Sequence, residues 1–318
     1  WEATATGVKH TIAPHYGFQT NNPYVFDHRH ASSDWRDAEG IDLSVLEREA
    51  AVLKDPSNAM AWFNLGVKQQ ANEREAKAIQ ALRKALELDP SMLPAWMELA
   101  VSYTNDGNRN EAYNAITEWI NHNPKYNEAV ARWKAGRDLS SPLSVGDLID
   151  CLVTMARSTA DDDVDADVQI ALGVLFNTTE EYEKAQDCFL VALDVRPDDY
   201  MLYNRVGATI ANHGRPQDAI EYYHRALALN PSYIRARFNL GISCMSLHRN
   251  EDAAGHILDA LVLQENDAMQ SDSRGITSST LWETLRSVCL HLRRHDLARI
   301  CDRRDLRAFQ TAFDSSKN

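Results

Sequence analysis

No apolar run in this 318-residue chain reaches the roughly 18 residues that a membrane-spanning helix needs, and the residues from Trp1 onward do not read as a signal peptide. Cysteine is scarce. The five present (Cys151, Cys188, Cys244, Cys289, Cys301) are odd in number and lack CxxC spacing. They read as reduced packing residues and place the chain in a cytosolic compartment. HExxH, GxGxxG and a nucleophile elbow are all missing, which removes the common signatures of catalysis. His291 and His295 could share one helix face but have no third ligand at metal spacing, so no metal and no cofactor is expected. Basic residues are in the minority, 33 against 46 acidic, and the formal charge of −13 disfavours nucleic acid. A cationic or mixed peptide is the better partner.

What the chain does have is a pattern of period thirty-four. Trp62, Leu65, Gly66, Ala78, Ala85 and Pro90 repeat as Trp96, Leu99, Ala100, Ala112, Trp119 and Pro124. Gly173, Ala185, Ala192 and Pro197 return as Gly207, Ala219, Ala226 and Pro231, then as Gly241, Ala253 and Ala260. That is the tetratricopeptide period, two antiparallel helices per unit. Small residues fall where the two helices touch, and prolines where the second must stop. A lone unit cannot bury its apolar stripe, so neighbours stack into a superhelix whose concave face is lined by first helices. The fold class is all-α, with about seven repeats and a C-terminal helical bundle.

The register divides the chain. Residues 1–22 read as a loosely ordered lead-in, and 23–134 as a first block of three repeats. In that block, residues 24–38 supply a poor first helix and 43–54 its partner. Residues 135–165 read as a distorted fourth repeat, because Ser140, Ser141 and Pro142 interrupt a helix that Pro breaks at a cost of about 3 kcal/mol. A second block spans 166–264, a polar loop 265–279, and final helices 280–314. Arginines between Arg286 and Arg307 read as a solvated face.

Asparagine is a mediocre helix former, yet Asn72, Asn105, Asn177, Asn204 and Asn239 all fall in or at the end of first helices. A side-chain amide can pair with both the N–H and the C=O of an extended peptide, so five in one groove would grip a backbone regardless of sequence. Helix capping is the competing reading. Arg235 precedes Asn239 by four residues and shares its helix face. Its planar fork suits a chain's terminal carboxylate, with a structural salt bridge as the alternative.

The strings AWFNLGVKQQANEREAKAI (61–79), LAVSYTN (99–105), LGVLFNTTEEYEKAQDCF (172–189), YNRVGATIANHG (203–214) and SYIRARFNLGISC (232–244) carry a closer likeness. They resemble the C-terminal domain of the peroxisomal import receptor for type 1 targeting signals, over about residues 20–312. The resemblance implies binding of C-terminal Ser-Lys-Leu-type tripeptides. Asn177, Asn204, Arg235 and Asn239 would contact the signal's backbone and carboxylate. Asn72, Thr104 and Asn105 would approach from the first block, and Ala208 would help form a pocket for the leucine. Arg205 stands where the family suggests lysine and keeps the charge, whereas Ser246 stands in place of a further asparagine. The family also implies docking proteins at the peroxisomal or glycosomal membrane, reached through an N-terminal half not present here, and a receptor cycling between cytoplasm and that membrane. Glu73 and Asp106, beside the first-block contacts, are expected to make the groove's mouth negative.

Two other readings compete. A co-chaperone clamp would need lysine and asparagine one turn apart in a first helix, where this chain has Ile170 and Val174, or Phe63 and Val67. An assembly scaffold would place another subunit's helix in the groove.

Overall fold

A computed structural model describes residues 15–20, 22–25, 43–135, 137, 143–158, 164–267 and 277–314, and these contain sixteen α-helices and no strand. Helix α1 (Val45–Lys54) is the second helix of the first unit. The pairs α2 (Ala59–Ala71) with α3 (Glu75–Leu88) and α4 (Leu93–Asn105) with α5 (Arg109–Asn121) are complete repeats. Then come α6 (Asn127–Lys134) and α7 (Val145–Ala156). Three further repeats follow: α8 (Ala166–Thr178) and α9 (Tyr182–Val195), α10 (Tyr200–Asn212) and α11 (Pro216–Leu229), α12 (Ile234–Ser246) and α13 (Asn250–Asp267). The bundle consists of α14 (Ser279–His291), α15 (His295–Arg303) and α16 (Leu306–Asp314).

The thirty-four-residue frame has a direct physical cause inside each pair. At Gly66 an added Cβ would lie 2.6 Å from Leu82, and at Gly173 it would lie 2.6 Å from Phe189; Gly207 and Gly241 face Tyr223 and Ile257 in the same way. The large partner always stands sixteen residues on, in the second helix. Where the small residue is Ala100, that partner is the buried Ile116. The frame's tryptophans tie one repeat to the previous turn, with Trp62 Nε1 donating to the Pro56 carbonyl at 3.0 Å and Trp96 Nε1 to that of Pro90 at 2.8 Å.

The first helices α2, α4, α8, α10 and α12 end in the same tight turn, a Schellman motif with one residue in the left-handed region. Gly107 (φ 74°) and Gly214 (φ 79°) occupy it as expected, whereas Glu73 (φ 58°), Glu180 (φ 65°) and His248 (φ 60°) occupy it without being glycine. In the Glu180 turn, Glu180 N–H donates to the Asn177 carbonyl and Glu181 N–H to that of Phe176, at 3.2 and 2.9 Å.

One large buried apolar cluster runs from Ile79 to Phe313, and a separate one joins Val45, Val52, Trp62 and Leu65 at the start of the superhelix. Stacking also brings distant parts together: α4 and α5 pack on α8, and α12 reaches α2. First helices of the two blocks therefore face one another across a narrow interior.

Several boundaries differ from the sequence reading. Gln19, Tyr16 and Phe18 are packed rather than loose: Tyr16 O–H donates to Glu49 at 2.7 Å, and Phe18 lies 5.7 Å from the Trp62 ring. Of the expected first helix at 24–38, residues 23–25 form one 3-10 turn and the rest lie outside the described residues. So do Ser140, Ser141 and Pro142. The distorted repeat nonetheless contains a well-formed α7, started by a capping box in which Ser144 and Asp147 bond reciprocally. Helix α13 continues to Asp267, past the expected start of the loop, because Gln264 and Asp267 are both held by the first block.

Candidate functional site

A cavity of about 410 Å³ lies in the interior of the superhelix. It gathers eight of the nine residues singled out from the sequence: Thr104, Asn105, Asn177, Asn204, Arg205, Ala208, Arg235 and Asn239. Val174, Met201 and Phe238 give it an apolar portion.

The amides are arranged in pairs before any ligand arrives. Asn239 Nδ2 donates to Asn204 Oδ1 at 3.0 Å, which links α12 to α10. Asn177 Nδ2 donates to Thr209 Oγ1 at 3.0 Å, linking α8 to α10. Each pair leaves further donor and acceptor positions for a peptide. Asn105, the last residue of α4, donates to Glu75 at 2.7 Å, and Thr104 Oγ1 returns to the Ala100 carbonyl at 2.8 Å. Asn72 is separated from this group. It caps the C-terminus of α2, donates to Asp267 at 2.6 Å, accepts at its carbonyl from Gln264 at 2.7 Å, and lines a neighbouring cavity of about 220 Å³.

Two arginines from the second block cross the interior to carboxylates of the first. Arg235 is nine-tenths buried and fully engaged: Nε and Nη2 donate to the Gln70 carbonyl at 3.0 and 2.7 Å, Nη1 lies 3.1 Å from Glu73, and Nη2 also meets Glu75. The salt-bridge alternative for this residue is the one the structure contains. Arg205 is engaged through a single nitrogen. Its Nη2 donates to both oxygens of Glu98 at 2.7 and 2.8 Å, and among the described residues Nε and Nη1 have no hydrogen-bond partner. Gln70 joins the two clasps, its side chain donating to the Glu98 carbonyl at 3.1 Å and to Ser102 Oγ at 2.9 Å.

Burial dominates the electrostatics. It pushes the Glu73 carboxyl up to about 7 although Arg235 pulls the other way, and it raises Glu75 as well. Burial works against the charge of both arginines too. The facing carboxylates outweigh it, so Arg205 and Arg235 stay firmly protonated.

Sequence reasoning did not find Gln70, Glu75 and Glu98 as partners, and it placed Glu73 at the mouth when its side chain turns inward. Glu98 carried a signal, as the one charge in the otherwise apolar stretch from Leu93 to Tyr103. At the mouth the exposed acid is Glu180, which pairs with Arg109 at 2.7 Å. All five cysteines are free, with Cys188 half-buried and the rest buried. Among the described residues no group of His, Cys, Asp and Glu could hold a metal ion, and no helix is long and apolar enough to cross a membrane.

Tetratricopeptide-repeat models match residues 33–93, 69–135 and 211–268, in agreement with the helical pairs and their turns, and the chain belongs to the tetratricopeptide-repeat proteins. Within that class its sequence is similar to peroxisomal targeting signal receptors. The receptor of Yarrowia lipolytica is 40% identical over 283 residues, which is 86% of this chain and 46% of that protein. The one from Eremothecium gossypii is 35% identical over 310 residues, 94% of this chain and 52% of that protein. A human PEX5-related protein is 41% identical over 220 residues, 64% of this chain and 34% of that protein. The chain thus spans about half the length of the curated relatives it matches. The two fungal relatives are named as receptors, and no catalytic family is indicated.

Proposed function

We propose that this chain is the cargo-reading part of a receptor for C-terminal, Ser-Lys-Leu-type targeting signals, and that the central cavity holds the signal. The observation that supports this reading is the convergence of Asn177, Asn204, Asn239 and Arg205 on one cavity, with amide positions and two guanidinium nitrogens available. The asparagines run along the peptide backbone. Arg205, rather than the saturated Arg235, receives the terminal carboxylate through Nε and Nη1, while Glu98 holds the guanidinium from behind. Ala208 leaves room beside Val174 and Phe238 for an apolar terminal side chain. Arg235 keeps the two blocks at the spacing the peptide requires.

In this reading the receptor loads cargo in the cytoplasm and carries it to docking proteins at the peroxisomal or glycosomal membrane. Calorimetry with one Ser-Lys-Leu peptide and its C-terminal amide tests the site. Amidation removes one partner of a desolvated charged contact, a loss of about 2–5 kcal/mol, so affinity should fall at least about tenfold. Equal affinity for acid and amide would overturn the carboxylate assignment.

A further inference from the structure

Four ion pairs involve residues that line the cavity, and they differ in how easily they can open. Arg235 and Arg205 are buried with their carboxylates; the pair between Arg109 and Glu180 is open to solvent, with side chains 57% and 62% exposed. Exchange of partners there costs little, because an exposed pair contributes little to stability. Glu180 also carries a left-handed backbone. Like Glu73 and His248 in their own turns, it has a positive φ (65°) at the position that Gly107 and Gly214 fill with glycine, a conformation that disfavours any side chain. Left-handed strain in a residue that lines a cavity points to a use for its side chain.

We infer that Glu180 is a specificity-determining residue, which leaves Arg109 to pair with a cationic side chain just upstream of the bound tripeptide. This rests on the proposed reading of the cavity. The turn is pinned by its two backbone bonds, so the carboxylate stays at the mouth while Arg109, the first residue of α5, swings away on its long stem. The sign follows from the surroundings: exposed Asp106 stands one residue before Gly107 on the facing turn, and the chain as a whole carries −13. A cation is attracted to this mouth and an anion repelled.

The test uses the full chain and short labelled peptides ending in Ser-Lys-Leu, preceded by either Lys-Lys or Glu-Glu, with affinities read by fluorescence anisotropy. The native chain should prefer the Lys-Lys peptide about two- to fivefold at low salt, the range that exposed pairs produce. High salt should erase the preference. Glu180→Gly, which installs the residue of the sister turns, should abolish it without lowering the melting temperature. The double exchange Arg109→Glu with Glu180→Arg should invert it. Equal binding of both peptides by the native chain, or a preference that survives Glu180→Gly, overturns this inference alone. Failure to bind either peptide overturns the reading of the cavity beneath it.

Discussion

Glu73 and Arg235 meet at 3.1 Å, although one ends the first helix of an early repeat and the other begins the first helix of the last. Their contact makes the superhelix a closed ring at this level. It also removes Arg235 from the set of groups free to bind a ligand.

Replacing Arg235 with alanine should therefore act first on stability. Glu73 and Glu75 would remain buried without their cation, and breaking a buried pair from one side typically costs about 3–5 kcal/mol. Urea unfolding should show the loss. Replacing all three, as Glu73→Gln, Glu75→Gln and Arg235→Met, should recover most of it, because no uncompensated charge is left. A single Arg235→Ala variant as stable as the native chain would show that the clasp does not hold the ring.

The burial of the Glu73 carboxyl sets a pH dependence, against the pull of Arg235. The Glu73 carboxyl lies at about 7 in the folded chain against 4.5 for an unperturbed glutamate. Between those values the folded state binds more protons than the unfolded one, so stability must fall as pH rises through that window. The contribution is fully present below about 4.5 and lost above about 7, and it is worth up to roughly 3 kcal/mol. Comparing urea midpoints of native and Glu73→Gln proteins at acidic and alkaline pH isolates it from other carboxyls. The native chain should lose ground to the variant as pH rises, and an unchanged difference would contradict the assignment.

How much of this was legible in the sequence depends on the range of the contact involved. Gly66 against Leu82 and Trp62 against Pro56 are contacts within or beside one repeat, so a fixed spacing records them. The eight cavity residues were legible because first helices line the inner face of any such superhelix. Across the ring the sequence is silent. Whether Arg235 meets Glu73 depends on a small rotation accumulated over several repeats, which no local spacing encodes. Asn72 illustrates the same limit: its amide was legible as a polar group on the right helix, and its diversion to Asp267 was not. The turn at Glu180 was a near miss, since counting thirty-four on from it lands on Gly214 and marks the position as a turn that glycine can fill.

The helix contact inside a repeat gives a sharper stability test. At Gly173 even a methyl group would meet the Phe189 ring at 2.6 Å; Gly173 is buried in α8 and Phe189 belongs to the main apolar core. Gly173→Ala should destabilise by about 1–3 kcal/mol, the usual cost of overpacking. Adding Phe189→Ile reproduces the Ala100 and Ile116 pairing of another repeat and should restore part of the loss. If the double variant is less stable than the single one, relief of the close contact is not the governing effect.

Binding can be separated from stability at Ala208. Its side chain is half-buried and faces the cavity, so a larger apolar group there would enter open space. Ala208→Leu should leave the unfolding midpoint unchanged or slightly raised, since the new atoms leave water without displacing core neighbours. The same atoms occupy the volume assigned to the signal's terminal side chain beside Val174 and Phe238. Affinity for a peptide ending in leucine should drop at least about tenfold, and one ending in alanine should lose less, because a shorter side chain demands less of that volume. Equal losses for the two peptides would mean that the terminal side chain sits elsewhere in the cavity, and that Ala208 touches the backbone instead.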